Sequence, residues 1–266
     1  MVCRFIAVSC VAVLITAGMR GVDGQTIEKE QPMARDAHPG FEVATIKHSD
    51  PDDRRSGFHN NGHNIFIENE TMNDLISFAY NVHVKQIVDA PAWFGSERFD
   101  IKGFPDAEGV PGLAQYREMV SKLLTERFQL KFRREQREMA RFTLTVAKSG
   151  SKIEPTKSDP DSGLPDQTGD ISGSHVEWRF TNNSMADFCG FLQMAVLERP
   201  VVDQTGLKGK YDFKLTWTAD AQVTTDPSAA PGFLTALQEQ AGLKVEPSRG
   251  EVDVLAITHV EQPSAN

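Results

Sequence analysis

Apolar and polar residues alternate along Phe41-Glu42-Val43-Ala44-Thr45-Ile46, a period of two that predicts a strand. A charged loop follows over 50–56, then a second short strand over 64–67. The period then lengthens. Leu75, Phe78, Ala79 and Val82 fall at i, i+3, i+4 and i+7, which is one face of a helix. Thr71 stands at its start with Asp74 three positions on, a pair able to satisfy free backbone N–H groups at a helix N-terminus. Next come a short aromatic strand at Phe99-Asp100-Ile101 and a helix over 114–127 with Met119, Val120, Leu123 and Leu124 on its apolar face. Two closing strands, 129–133 and 141–148, complete a β-α-β-α-β-β order.

The same order returns. Phe66-Ile67-Glu68-Asn69-Glu70-Thr71-Met72-Asn73-Asp74-Leu75 is matched 113 positions later by Arg179-Phe180-Thr181-Asn182-Asn183-Ser184-Met185-Ala186-Asp187-Phe188. Ser184 and Asp187 repeat the cap, and Phe188, Phe191, Leu192 and Ala195 repeat the apolar face. Tyr211-Asp212-Phe213-Lys214-Leu215 is the second aromatic strand, and 233–241 is the second late helix, with Ala236, Leu237 and Ala241 facing inward. Strands over 244–246 and 252–260 close it. The expected fold is α+β: a tandem duplication of one unit, with helices packed on one face of a small mixed sheet. The expected segments are a signal peptide over 1–24, a flexible lead-in over 25–40 and unit one over 41–148. A Ser-, Pro-, Asp- and Gly-rich linker over 149–175, unit two over 176–262 and a tail over 263–266 follow. A second insertion of similar composition spans 222–231.

Arg4 ahead of an apolar run over 5–17 and a small, polar stretch over 18–24 has the character of a secretory signal. The run is shorter than the roughly 20 residues that cross a bilayer, and nothing later resembles a membrane span. A secreted or periplasmic location follows. Export changes the cysteine arithmetic. Cys3 and Cys10 leave with the signal, so Cys189 remains alone and no internal disulfide can form. Its position, 113 after Ile76, is that of a buried helix residue. The chain carries 28 Lys+Arg against 37 Asp+Glu, a balance that argues against nucleic-acid binding.

Several segments are similar to an uncharacterised family of secreted proteins, a domain of unknown function expanded in soil bacteria of the acidobacterial type. They are Phe41–Lys47, Ala90-Pro91-Ala92-Trp93, Arg98–Ile101, Leu123–Phe128, Pro200–Leu207 and Gln240–Lys244. That resemblance covers nearly the whole mature chain and implies no catalytic residues. At the level of fold, 72–79 with 123–132, and 185–192 with 237–245, also resemble the short N-terminal domains of secretins and TonB-dependent receptors. Those domains dock to other envelope proteins; fold alone does not fix function.

The chemistry on offer is sparse. His59 and His63 flank an Asn-Asn-Gly turn without the Cys or Glu that would complete a metal set. Asp159-Pro160-Asp161-Ser162-Gly163 lacks the spacing of a calcium loop. Ser172 and Ser174 beside His175 are sequence neighbours, whereas triad partners come from distant segments. No metal, cofactor or catalytic residue is expected. Trp93, after Pro91, is either a plug for its own core or an anchor for a partner. Arg133 and Arg134, in a basic run interleaved with Glu126, Glu135 and Glu138, form either a solvated face or an interaction surface. The expected function is a non-enzymatic interaction module of the cell envelope, binding a protein or a small ligand. Two alternatives stand beside it. One is an enzyme or small-molecule receptor using Asp100, Asp212 or His259 in a cleft between the two units. The other is an accessory sensor of a membrane signalling peptidase.

Overall fold

The computed structural model describes residues 31–53, 55–61, 64–158, 165–219 and 231–263. The expected signal peptide, most of the 222–231 insertion, His63 and the Asp159–Gly163 segment lie outside the described residues. In chain order the elements are β1 (Phe41–His48), β2 (Gly57–Asn61), β3 (Asn64–Thr71), α1 (Met72–Tyr80), β4 (Ile87–Val88), β5 (Arg98–Pro105), α2 (Leu113–Arg127) and β6 (Lys131–Val146). They continue with β7 (Glu154–Pro155), β8 (Asp166–Ser172), β9 (His175–Asn183), α3 (Met185–Phe191), β10 (Val201–Asp203), β11 (Tyr211–Thr218), α4 (Phe233–Ala236) and β12 (Leu243–His259). Wider helical turns extend α3 through Leu192–Val196 and α4 through Leu237–Ala241. The class is α+β, as the periodicity predicts.

The strands form three sheets of four: β1-β5-β3-β2, β7-β11-β9-β8 and β10-β6-β12-β4. The first two are antiparallel throughout. Only the third is mixed, because β10 runs parallel to β6 and β4 parallel to β12. By compactness the chain divides into two units that interleave in sequence. Unit 1 takes residues 31–75, 92–128 and 261–263; unit 2 takes 76–91 and 129–260 among the described residues.

Unit 1 buries Ile46, Ile65, Ile67, Phe99 and Ile101 from its sheet, and Met119, Val120, Leu123 and Leu124 from α2. These are the helix positions that the 3.6-residue period selects. In unit 2, Phe180 of β9 meets Phe188 and Phe191 of α3 edge-on, with centroids 5.1 and 4.9 Å apart. Such quadrupole-favoured geometry adds to simple area burial.

The two antiparallel sheets share local devices. Asn69 and Asn182 both hold φ = 55°, and each sits where the strand register shifts. A carboxylate on the neighbouring strand secures each bend: the Asn69 N–H donates to Asp100 Oδ1 at 2.9 Å and the Asn182 N–H to Asp212 Oδ1 at 2.8 Å. The helix caps match as well. Thr71 Oγ1 accepts from the Asp74 N–H at 3.2 Å, and Ser184 Oγ from the Asp187 N–H at 3.2 Å. Each acid in turn accepts the backbone N–H of its hydroxyl residue, at 3.0 and 3.1 Å.

Three expectations need correction. The closing strands are not pairs of short segments. β6 is one strand of 16 residues and β12 one of 17, paired from Leu243↔Val146 to His259↔Lys131. The charged stretch 133–138 contains no Gly or Pro and continues the ladder. Pro247 is tolerated inside β12 because β4 pairs only with Leu255 and Ala256, leaving Pro247 on a part of the strand with no described neighbour on its outer edge. The expected linker over 149–175 carries β7 and β8. β8 pairs with β9 from Asp166↔Thr181 to Ser172↔His175 through the Gly173-Ser174 turn, and its polar composition is that of an edge strand. His59, expected in a loop, lies on β2.

Gly242 ends the helical turn after α4 at φ = +66°, and a Cβ there would stand 2.1 Å from the Gly150 carbonyl oxygen. The Gly242 carbonyl also accepts the Ala147 N–H at 2.8 Å. We predict that Gly242→Ala lowers unfolding free energy by about 2–4 kcal/mol, read as a fall in the urea midpoint, since both backbone strain and overlap oppose it.

Candidate functional site

The Ser184 cap fixes where α3 starts, and so places Ala186, Cys189, Gly190 and Gln193 at i, i+3, i+4 and i+7 on one helix face. That face borders a cleft of about 340 Å³, lined entirely by residues of unit 2. Gly190 is needed there: a Cβ would come within 2.2 Å of Asn81 Oδ1. Asn81 holds φ = 52° just past the end of α1, a conformation asparagine tolerates better than most residues. Its carbonyl accepts from Gln193 Nε2 at 3.1 Å, and its own amide reaches the Ala186 carbonyl at 3.4 Å.

Two buried glutamines tie the walls together. Gln193 Oε1 accepts the Val201 N–H at 3.3 Å, joining α3 to β10. Gln86 Nε2 donates to the Asp253 carbonyl at 2.7 Å, and its Oε1 accepts the His83 N–H at 2.7 Å, joining the β4 approach to β12. Gln136 of β6 and Asp253 of β12 are register partners, and the Gln136 amide donates to the Asp253 carboxylate. Opposite, Asp203 Oδ1 accepts the Thr205 N–H at 2.8 Å and its hydroxyl at 2.7 Å. The lining thus carries four amide side chains and the carboxylates of Asp203, Glu251 and Asp253, with no lysine or arginine among its residues.

Cys189 lies at this wall but is buried within the unit 2 core. Burial, and secondarily the Asp203 charge, pushes its thiol up to about 12. Burial, reinforced by Lys85, brings His83 down to about 4, so its Nδ1 is free to accept the Lys85 N–H at 3.0 Å.

The other residues singled out from sequence fall elsewhere; none of Trp93, Arg133, Arg134, Asp100, Asp212 and His259 lines the cleft. Trp93 is half-buried on a short helical turn of unit 1, edge-on to Phe94 at 4.8 Å and to Phe99 at 6.3 Å. Arg133 and Arg134 are exposed on β6: Arg133 pairs with Glu135 at 2.7 Å, and the Arg134 guanidinium lies 5.9 Å from the Phe132 ring centre. Asp100 of unit 1 also accepts the Ser49 hydroxyl at 2.6 Å and pairs with Lys47 at 3.3 Å. Burial acts to raise its carboxyl, yet the hydrogen bonds from Ser49 and Asn69 hold it below the usual range. Asp212 of unit 2 behaves alike: burial opposes, and the Asn182 and Lys157 N–H groups prevail. His259 is exposed at the end of β12. His59 stacks on Phe66 and pairs with Glu68 at 3.5 Å. Among the described residues no three His, Cys, Asp or Glu side chains gather as a metal site. No helix there is long and apolar enough to cross a membrane.

The amides of the cleft escaped sequence reasoning, although one carried a signal. Gln193 follows Cys189 by four positions on an otherwise apolar face, and a buried glutamine there needs partners. Gln86, Gln136 and Asn81 carry no such mark.

An α+β chain of three four-stranded sheets, with an amide-walled cleft beside its mixed sheet, is the class that fold and site define. The chain belongs to the family described as a protein of unknown function (DUF3738), which matches residues 73–260. No curated protein and no solved structure matches it.

The Cys189 environment gives a direct expectation. At pH 8 the native thiol should react with an aromatic disulfide reagent roughly a hundredfold more slowly than in the urea-unfolded chain, because burial limits both thiolate and access. Equal rates in the two states would contradict the buried placement.

Proposed function

We propose that this chain is an exported, non-enzymatic binding protein and that the amide-walled cleft of unit 2 takes its ligand. The observation that carries this proposal is the convergence of Asn81, Gln86, Gln136 and Gln193 on one concavity of about 340 Å³. That volume suits a small molecule. Amides both donate and accept, which suits hydroxyl- or amide-bearing groups. The carboxylates of Asp203, Glu251 and Asp253, with no cation in the lining, disfavour anions through like-charge repulsion. A neutral or cationic polar ligand is therefore the class assigned. The one thiol at the wall is held in its unreactive form, which supports capture without covalent chemistry.

Export, and action in the cell envelope, are supported by Arg4 and the apolar run behind it. Duplication of one unit is supported by the shared strand order of two sheets and by the third sheet, where Glu138 stands opposite Glu251, its counterpart 113 positions on. β4 pairs parallel to β12 as β10 pairs parallel to β6: Leu255 follows Phe142 by 113 positions, and Val201 follows Ile87 by 114, across one inserted residue.

The test is a titration of the full mature chain with glucose, glucosamine, alaninamide and putrescine, with citrate as the anionic control, followed by thermal unfolding. At least one neutral or cationic probe should raise the midpoint. Gln136→Ala and Asp253→Ala should each weaken that probe about three- to tenfold, the worth of one hydrogen bond. Citrate binding as tightly, or affinity untouched by both substitutions, would sink the proposal.

A further inference from the structure

Glu70, at the end of β3 in unit 1, is only 3% exposed, and its carboxyl faces that of Asp74 in the first turn of α1. The groups around it come from every neighbouring element. Asp74 of α1 shares a hydrogen bond with it, the Gly57 N–H of β2 donates to it, Arg98 of β5 is its cation, and Tyr116 of α2 feels its charge. Arg98 is already engaged, donating to the Asn69 carbonyl at 2.6 Å. The counterpart 113 positions later is Asn183, fully buried at the same junction of strand, cap and helix. Its Oδ1 accepts from Gln167 at 2.6 Å, and its amide donates to the Thr181 carbonyl at 2.8 Å. One junction is thus closed by an amide that cannot ionise, the other by an acid that can.

We propose that Glu70 and Asp74 form a pH-sensitive latch at the β3–α1 junction: one proton held between the two carboxyl groups closes it, and loss of that proton loosens the β2–β3 hairpin. With the proton in place Glu70 has a hydrogen to give, as the amide of Asn183 does. Without it, two carboxylates confront one another in the interior, with the Arg98 guanidinium nearby. The supporting shift has the matching sense: burial first, and the Asp74 charge second, push Glu70 up to about 8. An unfolded glutamate releases its proton near 4.5. Stability from this site is therefore complete below about pH 4.5 and is lost as pH rises through about 8.

Hydrogen exchange on the full mature chain tests the latch, comparing wild type with Glu70→Gln at each pH so that intrinsic exchange cancels. Across 57–75 the ratio of wild-type to variant exchange should rise about tenfold for each pH unit between about 4.5 and 8 and level off above that. The β6–β12 ladder should not change. Equal protection at pH 9.5, or a loss spread evenly over β6 and β12, would overturn the proposal. Calorimetry in buffers of different ionisation heat gives a reading that stands without the variant. Wild-type unfolding at pH 7.5 should release a proton, and absence of that release defeats the latch outright.

Discussion

The ladder between β6 and β12 joins residues about 110 positions apart, and unit 2 is assembled around it. β10 attaches along β6 only at 142–144 and β4 along β12 only at 255–256, so the mixed sheet has no other spine. A strand pair of this length satisfies its inner backbone groups internally, whatever its side chains do. That is why a stretch as charged as 131–138 can remain in the sheet. It also makes unit 2 a non-local structure, since closure of its central sheet waits for the end of the chain to arrive.

In the two antiparallel sheets the same small solutions recur. A left-handed asparagine bends one strand, an aspartate on the next strand holds its N–H, and a hydroxyl–aspartate cap starts the following helix. Each device satisfies backbone groups that the bend or the helix start would otherwise leave open. Asp100 and Asp212 are accounted for by that role. Carboxylates so engaged are held ionised by their hydrogen bonds, which suits a structural acceptor better than a proton-transfer group near neutral pH.

The cleft has a different origin. Its amides belong to the connections after α1, the α3 face, and the crossing of β6 with β12, and each is tied to backbone or to another side chain. Those ties hold the walls in fixed geometry, as a recognition site requires. Glycine at 190 lets α3 approach Asn81 closely enough to shape the rim.

Local patterning determined the helices, the caps and the aromatic strands, because periodicity and N-cap chemistry act over four to eight residues. The internal offset of 113 was likewise legible, as was the burial of Cys189. Two features were not. The charged middle of β6 and the polar β8 lacked strand patterning, since their strand state comes from hydrogen bonds to a partner and not from a buried face. The cleft, too, was decided by tertiary structure alone. Asn81, Gln86, Gln136 and Gln193 become one surface only when sheet pairing brings together segments separated by more than a hundred residues. Gln193 alone bears a local mark, a polar residue on an apolar helix face; nothing near Asn81, Gln86 or Gln136 announces that they will face it.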